Sequence, residues 1–223
     1  MAAGVAAAER LAFWLLPSAY IAPARFLALE PGLPPALAPR LLGAPRLAAR
    51  LSRRILDRAG LAPGGLPDDG PAFALARLPT AELARIVRAC GALLHHVAIR
   101  SVVLREDRQR LRAFLGPDAH ELALRRAAFL RLPARATPAA GDDSLERVVE
   151  RDGLACLRAR FTGSTAPPGL AGRLALKFAP DAGFDAPAAG FDTSDQELAG
   201  DAGRRVLARV LQEGDAAWRA YSS

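Results

Sequence analysis

Apart from its carboxylates and hydroxyls, the residues of this chain suited to catalysis or metal binding are three histidines, two cysteines and a single lysine, the other 29 basic residues being arginines. His120-Glu121 opens like a zinc-binding helix motif, but Leu124 stands where the second histidine ligand is required. His95 and His96 are neighbours on a helix and diverge by about 100°, which suits a capping or interfacial role better than shared ligation. Both are expected to point away from their helix's apolar stripe. A phosphate-cradling loop needs Gly-Lys-Ser/Thr, whereas Lys177 lies between Leu176 and Phe178. No Gly-x-Gly-x-x-Gly and no Gly-x-Ser-x-Gly occurs. Asp68-Asp69 and Asp142-Asp143 sit in turn-forming sequence. Cys90 and Cys156 are far apart in the chain without a Cys-x-x-Cys, which suggests neither a disulfide scaffold nor a structural zinc site. Cys90 falls in an apolar helical stripe and reads as a small core residue. No catalytic, cofactor-binding or metal-binding residue is assigned, and no enzymatic activity is expected. A metal-dependent hydrolase built on His95, His96 and His120 is the weaker alternative.

The elements that carry these residues are helical. Of 223 residues 50 are alanine, the best helix former, and only 6% are aromatic. Clusters of β-branched and aromatic residues that would mark strands are almost absent. The expected fold is all-α: a single irregular helical domain over 1–223 with about seven to nine helices, a frayed end at 1–9, and mobile loops at 133–143 and 179–193. A helix over 4–16 stops before Pro17. The Pro-rich stretch to Pro45 also carries Leu, Phe and Tyr, so it should lie pinned on the core. Pro45 opens a helix that stops at Gly60, with Leu47, Leu51 and Ile55 on one side and Arg46, Arg50, Arg53 and Arg54 on the other. Residues 61–72 read as a loop. The clearest amphipathic helix follows Thr80, with Leu83, Ile86, Val87, Cys90, Leu93, Leu94 and Val97 within an arc of roughly 140°. Arg105–Leu115 forms another, supported by Glu106 and Arg110, and Gly116-Pro117 starts a further helix to about Leu132. Asp143 with Glu146 offers a capping box for a helix through Arg160 with an interruption at Gly153. Leu170–Phe178 is a short segment. Ser194 with Glu197 offers a second capping box, for a final helix carrying Leu198, Val206, Val210 and Trp218.

The net charge of +7 is unevenly placed. Residues 1–115 hold 16 Arg against 8 acids, whereas 116–223 hold 14 basic residues against 15 acids. A positive N-terminal half can steer acidic protein faces, anionic lipid or nucleic acid, though part of the Arg excess reads as codon bias. The stretch 181–201 is acidic. Leu11–Ala24 carries no charge, but Glu9 neutralises Arg10 and Pro17 breaks the run, which argues against a secretory signal. No run reaches the ~18 apolar residues of a membrane span.

Phe13, Pro17 and Tyr20, within Phe13–Pro23, resemble the N-terminal motif of the SctK (YscK-like) family of type III secretion proteins. Ala22 stands where that family usually has His. Cys90-Gly91-Ala92-Leu93-Leu94-His95 with Ala98-Ile99-Arg100 resembles the family's central helix. Gly153-Leu154 and Arg173-Leu174-Ala175-Leu176-Lys177 resemble its closing segments. The resemblance runs in order over residues 10–180. It implies a non-enzymatic, cytoplasmic adaptor of the sorting platform beneath the injectisome, at the cytoplasmic face of the bacterial inner membrane. Its partners would be the cytoplasmic domain of the ring protein SctD and the pod protein SctQ, with no cofactor and no small-molecule substrate. The candidate partner-binding residues are Pro17, Tyr20, Pro23, Arg25, Arg46, Arg50, Arg53, His95 and Arg100. The alternative is a basic helical nucleic-acid-binding protein, for which the Arg row supplies charge but no interleaved aromatics.

Overall fold

The computed structural model describes residues 2–62, 64–126, 144–162, 166–182, 184 and 200–222. Among them there are twelve α-helices and no strand: α1 (Ala2–Leu15), α2 (Pro23–Leu29), α3 (Ala38–Leu42), α4 (Ala48–Arg58), α5 (Pro71–Arg77), α6 (Thr80–Leu94), α7 (His96–Ser101), α8 (Arg105–Leu115), α9 (Pro117–Glu121), α10 (Leu145–Ala159), α11 (Leu170–Ala175) and α12 (Asp201–Glu213). The all-α expectation holds. Short helices α2 and α3, together with the 3-10 turns Pro17–Ala19, Pro35–Leu37 and Pro45–Leu47, come from the proline-rich stretch. There each proline opens a turn or helix that the next one stops. A π-helical turn, Leu122–Arg126, follows α9.

The chain forms two compact units: Met1–Thr80 with Ser164–Asp185, and Ala81–Gly163 with Ala186–Ser223. In the first unit the proline-rich segment is pinned as expected. Ile21, Phe26, Ala38, Ile55 and Leu176 form its core, with Leu33, Leu41 and Leu51 packed against them. Buried Ser18 and Ser52 link their hydroxyls at 2.8 Å, and the Ser18 hydroxyl donates to the Ala48 carbonyl at 3.1 Å, which fastens the Pro17 turn to α4. Glu30, after α2, receives both arms of Arg54 and lies near Arg58. The Arg54 hydrogen bonds hold its carboxyl below the usual range.

The second unit is built on a crossing of α6 and α10. Leu83, Ile86, Val87, Cys90, Leu93 and Leu94 are buried as the periodicity predicts. Two glycines set the distance. A methyl added at Gly91 would lie 1.9 Å from the Val149 carbonyl oxygen, and one at Gly153 would lie 2.0 Å from that of Val87. The two helices therefore run antiparallel with their backbones in direct contact, each glycine one turn from the residue its partner meets. This explains why α10 passes through Gly153 without the expected interruption: the glycine is there for a neighbour, and the helix continues. Cys90 and Cys156, distant in sequence, are free buried thiols close enough to interact. Burial, then that contact, raises the Cys90 thiol pKa well above its ordinary value.

Several local expectations are corrected. The cap of α10 is Ser144, whose side chain accepts from the Arg147 N–H; Asp143 lies outside the described residues. Arg110 pairs with Asp107 at 2.9 Å and Glu146 at 3.2 Å rather than with Glu106. Trp218 sits in a 3-10 turn, Ala216–Tyr221, because α12 ends at Gly214. Its indole stacks beneath Arg85, which also bridges Glu82, Asp118 and Asp215. The segment expected as a loop from 179 begins with a 3-10 turn, Pro180–Ala182, and Phe184 stacks on Phe178 at 5.2 Å. The first helix begins at Ala2. The loop at 133–143 and the capping box at Ser194 and Glu197, with Leu198, lie outside the described residues.

Alanine normally favours a helix over glycine by about 1 kcal/mol. At Gly91 the sign should invert. Gly91→Ala is expected to lower unfolding stability by about 3 kcal/mol, as overpacking against an unyielding carbonyl does, and a chemical-denaturation curve measures it directly.

Candidate partner interface

In the first unit the two ends of the resemblance come together. Phe13 at the end of α1 stacks on Tyr20 at 4.9 Å and meets Phe73 edge-on at 5.6 Å. Lys177 brings its ammonium 5.1 Å from the Phe13 ring centre and 5.4 Å from that of Tyr20, and donates to the Leu78 carbonyl at 2.6 Å. Arg173 is fully buried. Its guanidinium lies 3.6 Å from the centre of the Trp14 ring and donates to the carbonyls of Trp14, Gly169 and Ala62. Gly169 has φ +77°, and a side chain there would strike the guanidinium at 2.8 Å, so glycine is required on both counts. A flat, delocalised cation that stacks on a ring while its fixed fork of N–H groups reaches three separated carbonyls satisfies this site; a lysine ammonium has three donors but concentrates them on one nitrogen and has no flat face. Burial lowers the pKa of Arg173 and brings that of Lys177 down to about 8.

In the second unit the central motif meets Gly153 and its neighbours. His95 and His96 are both buried, not turned to the outside as expected. The reason is a break at His95 (φ −101°, ψ 20°), which ends α6 and restarts the chain as α7. The same break carries Val97 out of the predicted stripe to 50% exposure. His95 Nε2 lies 2.7 Å from Asp152 Oδ2, with both side chains buried, and His96 Nδ1 donates to the Leu93 carbonyl at 2.9 Å. His120 is half-buried, and burial followed by the nearby Arg112 and Arg108 lowers its pKa. Among the described residues, no three His, Cys, Asp or Glu side chains converge where a metal ion could be held.

The nine candidate partner residues therefore fall into two groups. Pro17, Arg25 and His95 are buried, and Tyr20 is half-buried with an unpartnered hydroxyl. Arg25 donates to the carbonyls of Phe178 and Ala179 and so ties α2 to the turn after α11. The side chains of Pro23, Arg46, Arg50, Arg53 and Arg100 are exposed. Arg46, Arg50 and Arg53 lie on the outward side of the Pro45–Arg58 helical run, opposite buried Ile55 and Leu56, and make no ion pair among the described residues. Arg100 donates to the Leu124 carbonyl. The sequence reading missed the exposed Val103 and Leu104, at 79% and 69%. Their signal was an apolar run, Val102-Val103-Leu104, at a helix boundary, where it had no helical face to join.

The family model for YscK, described as YOP proteins translocation protein K, matches residues 11–213. The chain belongs to this family. No curated relative and no solved structure matches it. Membership makes it a type III secretion protein. In this YscK-family chain, the residues that carry the resemblance are mostly packing residues: Phe13, Tyr20, Arg173 and Lys177 in one unit, and Gly91, His95 and Gly153 in the other. No helix among the described residues is long and apolar enough to cross a membrane.

The depressed Lys177 pKa has a measurable consequence. Between about 8 and its ordinary 10.5, the unfolded chain binds a proton that the folded chain has released, so stability rises with pH through that window. Cys90 and Tyr20, both raised by burial, act in the opposite direction once the unfolded thiol and phenol begin to ionise. The unfolded thiol ionises at about 8.5, inside that window, and offsets part of the Lys177 effect, so the Lys177 contribution is read as a difference between two proteins. Denaturation midpoints of the wild type should rise relative to those of Lys177→Met between about pH 7.5 and 9.5, and a constant difference would remove the assignment.

Proposed function

We propose that the chain is a non-enzymatic cytoplasmic adaptor of a type III secretion sorting platform, joining the cytoplasmic domain of the SctD ring protein to the SctQ pod protein. The family match over residues 11–213 carries this reading. The surface supports it. Most side chains of the family-like motifs are consumed in packing, and what remains outside is charged or singly apolar: the Arg46, Arg50 and Arg53 face, exposed Leu11, Leu15 and Leu47, and exposed Arg100. A row of unpaired arginines fits an acidic protein face, where complementary potential sets register and association rate. The row is assigned to one of the two partners, and the C-terminal half, with the acidic stretch 181–201, to the other. Peripheral placement at the inner membrane then follows from the ring protein. Nucleic-acid binding through the same Arg row is the competing use, and steep salt dependence of RNA or DNA affinity near physiological ionic strength would mark it.

Charge reversal at Arg46, Arg50 and Arg53 together should weaken one partner at least tenfold in low salt and leave the other unchanged. Calorimetric titration with the purified SctD cytoplasmic domain and SctQ measures this. Wild-type affinity for both would remove the assignment, and no affinity of the unmodified chain for either would remove the adaptor reading.

Residues 1–223 are proposed to act as one folding domain. The chain passes between the two units three times, so neither is a continuous stretch of sequence. Each unit holds one buried tryptophan, Trp14 and Trp218. Single-tryptophan variants made by Trp14→Phe and Trp218→Phe should report coincident unfolding transitions. Separated transitions would divide the chain into two domains.

A further inference from the structure

The side chains of Val97, Val103 and Leu104 are the three most exposed large apolar groups described, at 50%, 79% and 69%. They lie within eight consecutive residues, on α7 and on the turn into α8. Arginines surround them in the chain. Arg100 shares the outer side of α7 with Val97, and Arg105, Arg108 and Arg112 fall within an arc of roughly 60° on α8. All four are exposed, and none is matched to a carboxylate among the described residues: Arg100 and Arg108 bond backbone carbonyls, those of Leu124 and Val102. Arg108 and Arg112, four residues apart and both exposed, share one side of α8. Of the two acids of α8, Asp107 is engaged by Arg110, and Glu106 makes no ion pair among the described residues.

We infer that this surface, Val97, Val103 and Leu104 framed by Arg100, Arg105, Arg108 and Arg112, docks an acidic amphipathic segment of a partner protein. Apolar side chains of that segment would cover the valines and leucine, and its carboxylates would meet the arginines. A lipid surface fits less well. Glu106 and Asp107 lie two and three residues after Leu104, so inserting Leu104 among anionic headgroups would bring two carboxylates close to the same surface. A protein segment places its charges discretely and avoids them. This surface lies outside the Arg46–Arg53 face used for the adaptor reading and does not depend on it.

The test uses the full chain and a labelled amphipathic helical peptide with Leu along one face and Glu on both sides of it, read by fluorescence anisotropy. The wild type should bind, with affinity falling as salt rises. Leu104→Ser should weaken binding about tenfold, the scale of one leucine withdrawn from an apolar contact. Arg105→Glu with Arg112→Glu should abolish it. Each substituted position is exposed, and circular dichroism checks that the variants fold. No binding by the wild type, or equal binding by the variants, overturns the inference. So does binding to phosphatidylserine vesicles that the peptide does not compete, or concentration-dependent self-association lost in the same variants, which would put a second copy there. Because the probe is synthetic, failure here leaves the SctD and SctQ titrations standing, and the reverse holds too.

Discussion

Fifty alanines and few aromatics leave a helical chain short of side-chain volume, so its helices must come close to bury enough surface. The contact of α6 with α10 is where this constraint is sharpest. Gly91 and Gly153 remove the two side chains that would hold the backbones apart, and Val87 and Val149 fill the space on either side. Such contact gathers many weak attractions, including Cα–H to carbonyl contacts. It also fixes what lies one turn away: Cys90 against Cys156, and His95 against Asp152. The buried histidine answers the carboxylate on one oxygen and Arg151 answers it on the other, at 3.2 Å. Removing Asp152 would take from His95 the carboxylate it meets in an apolar interior.

The first unit meets the same shortage differently. It has few large rings, and it places two cations on them. Arg173 over Trp14 and Lys177 beside Phe13 and Tyr20 use long side chains as packing volume while backbone carbonyls satisfy their donors. A cation over a ring face gains from the ring quadrupole, and more so where water is excluded. The lowered pKa of Lys177 records what that burial costs.

These two arrangements bear on function by subtraction. Most of the residues through which the chain resembles its family are occupied in building the units, and little of their chemistry is left over for a ligand. On the proposed reading, recognition belongs to the outward faces of helices whose inner faces are spent on the core. Arg46, Arg50 and Arg53 are free because Ile55 and Leu56 on the opposite side hold α4 in place, and because Glu30 takes Arg54 and Arg58 from the same helix.

What the sequence by itself determined was whatever depends on neighbours three or four residues apart. The helices from Thr80 and from Arg105, the stop at Gly60, the break at Gly116, the pinning of the proline-rich segment and the core place of Cys90 were all legible, because periodicity and local φ preference act within a turn or two. What only the tertiary structure decided was the meaning of residues whose partner lies far along the chain. Gly153 reads locally as a helix breaker, and only the Val87 carbonyl makes it a contact point. His95 and His96 read as outward on an unbroken helix; a change of backbone angles at one residue turned them in and Val97 out. Nothing local to Arg173 and Lys177 shows that they are buried; Trp14, Phe13 and Tyr20, about 160 residues earlier, supply the rings that hold them. Hydrophobic patterning specifies which side of a helix is buried, but it carries no information about which distant element does the burying.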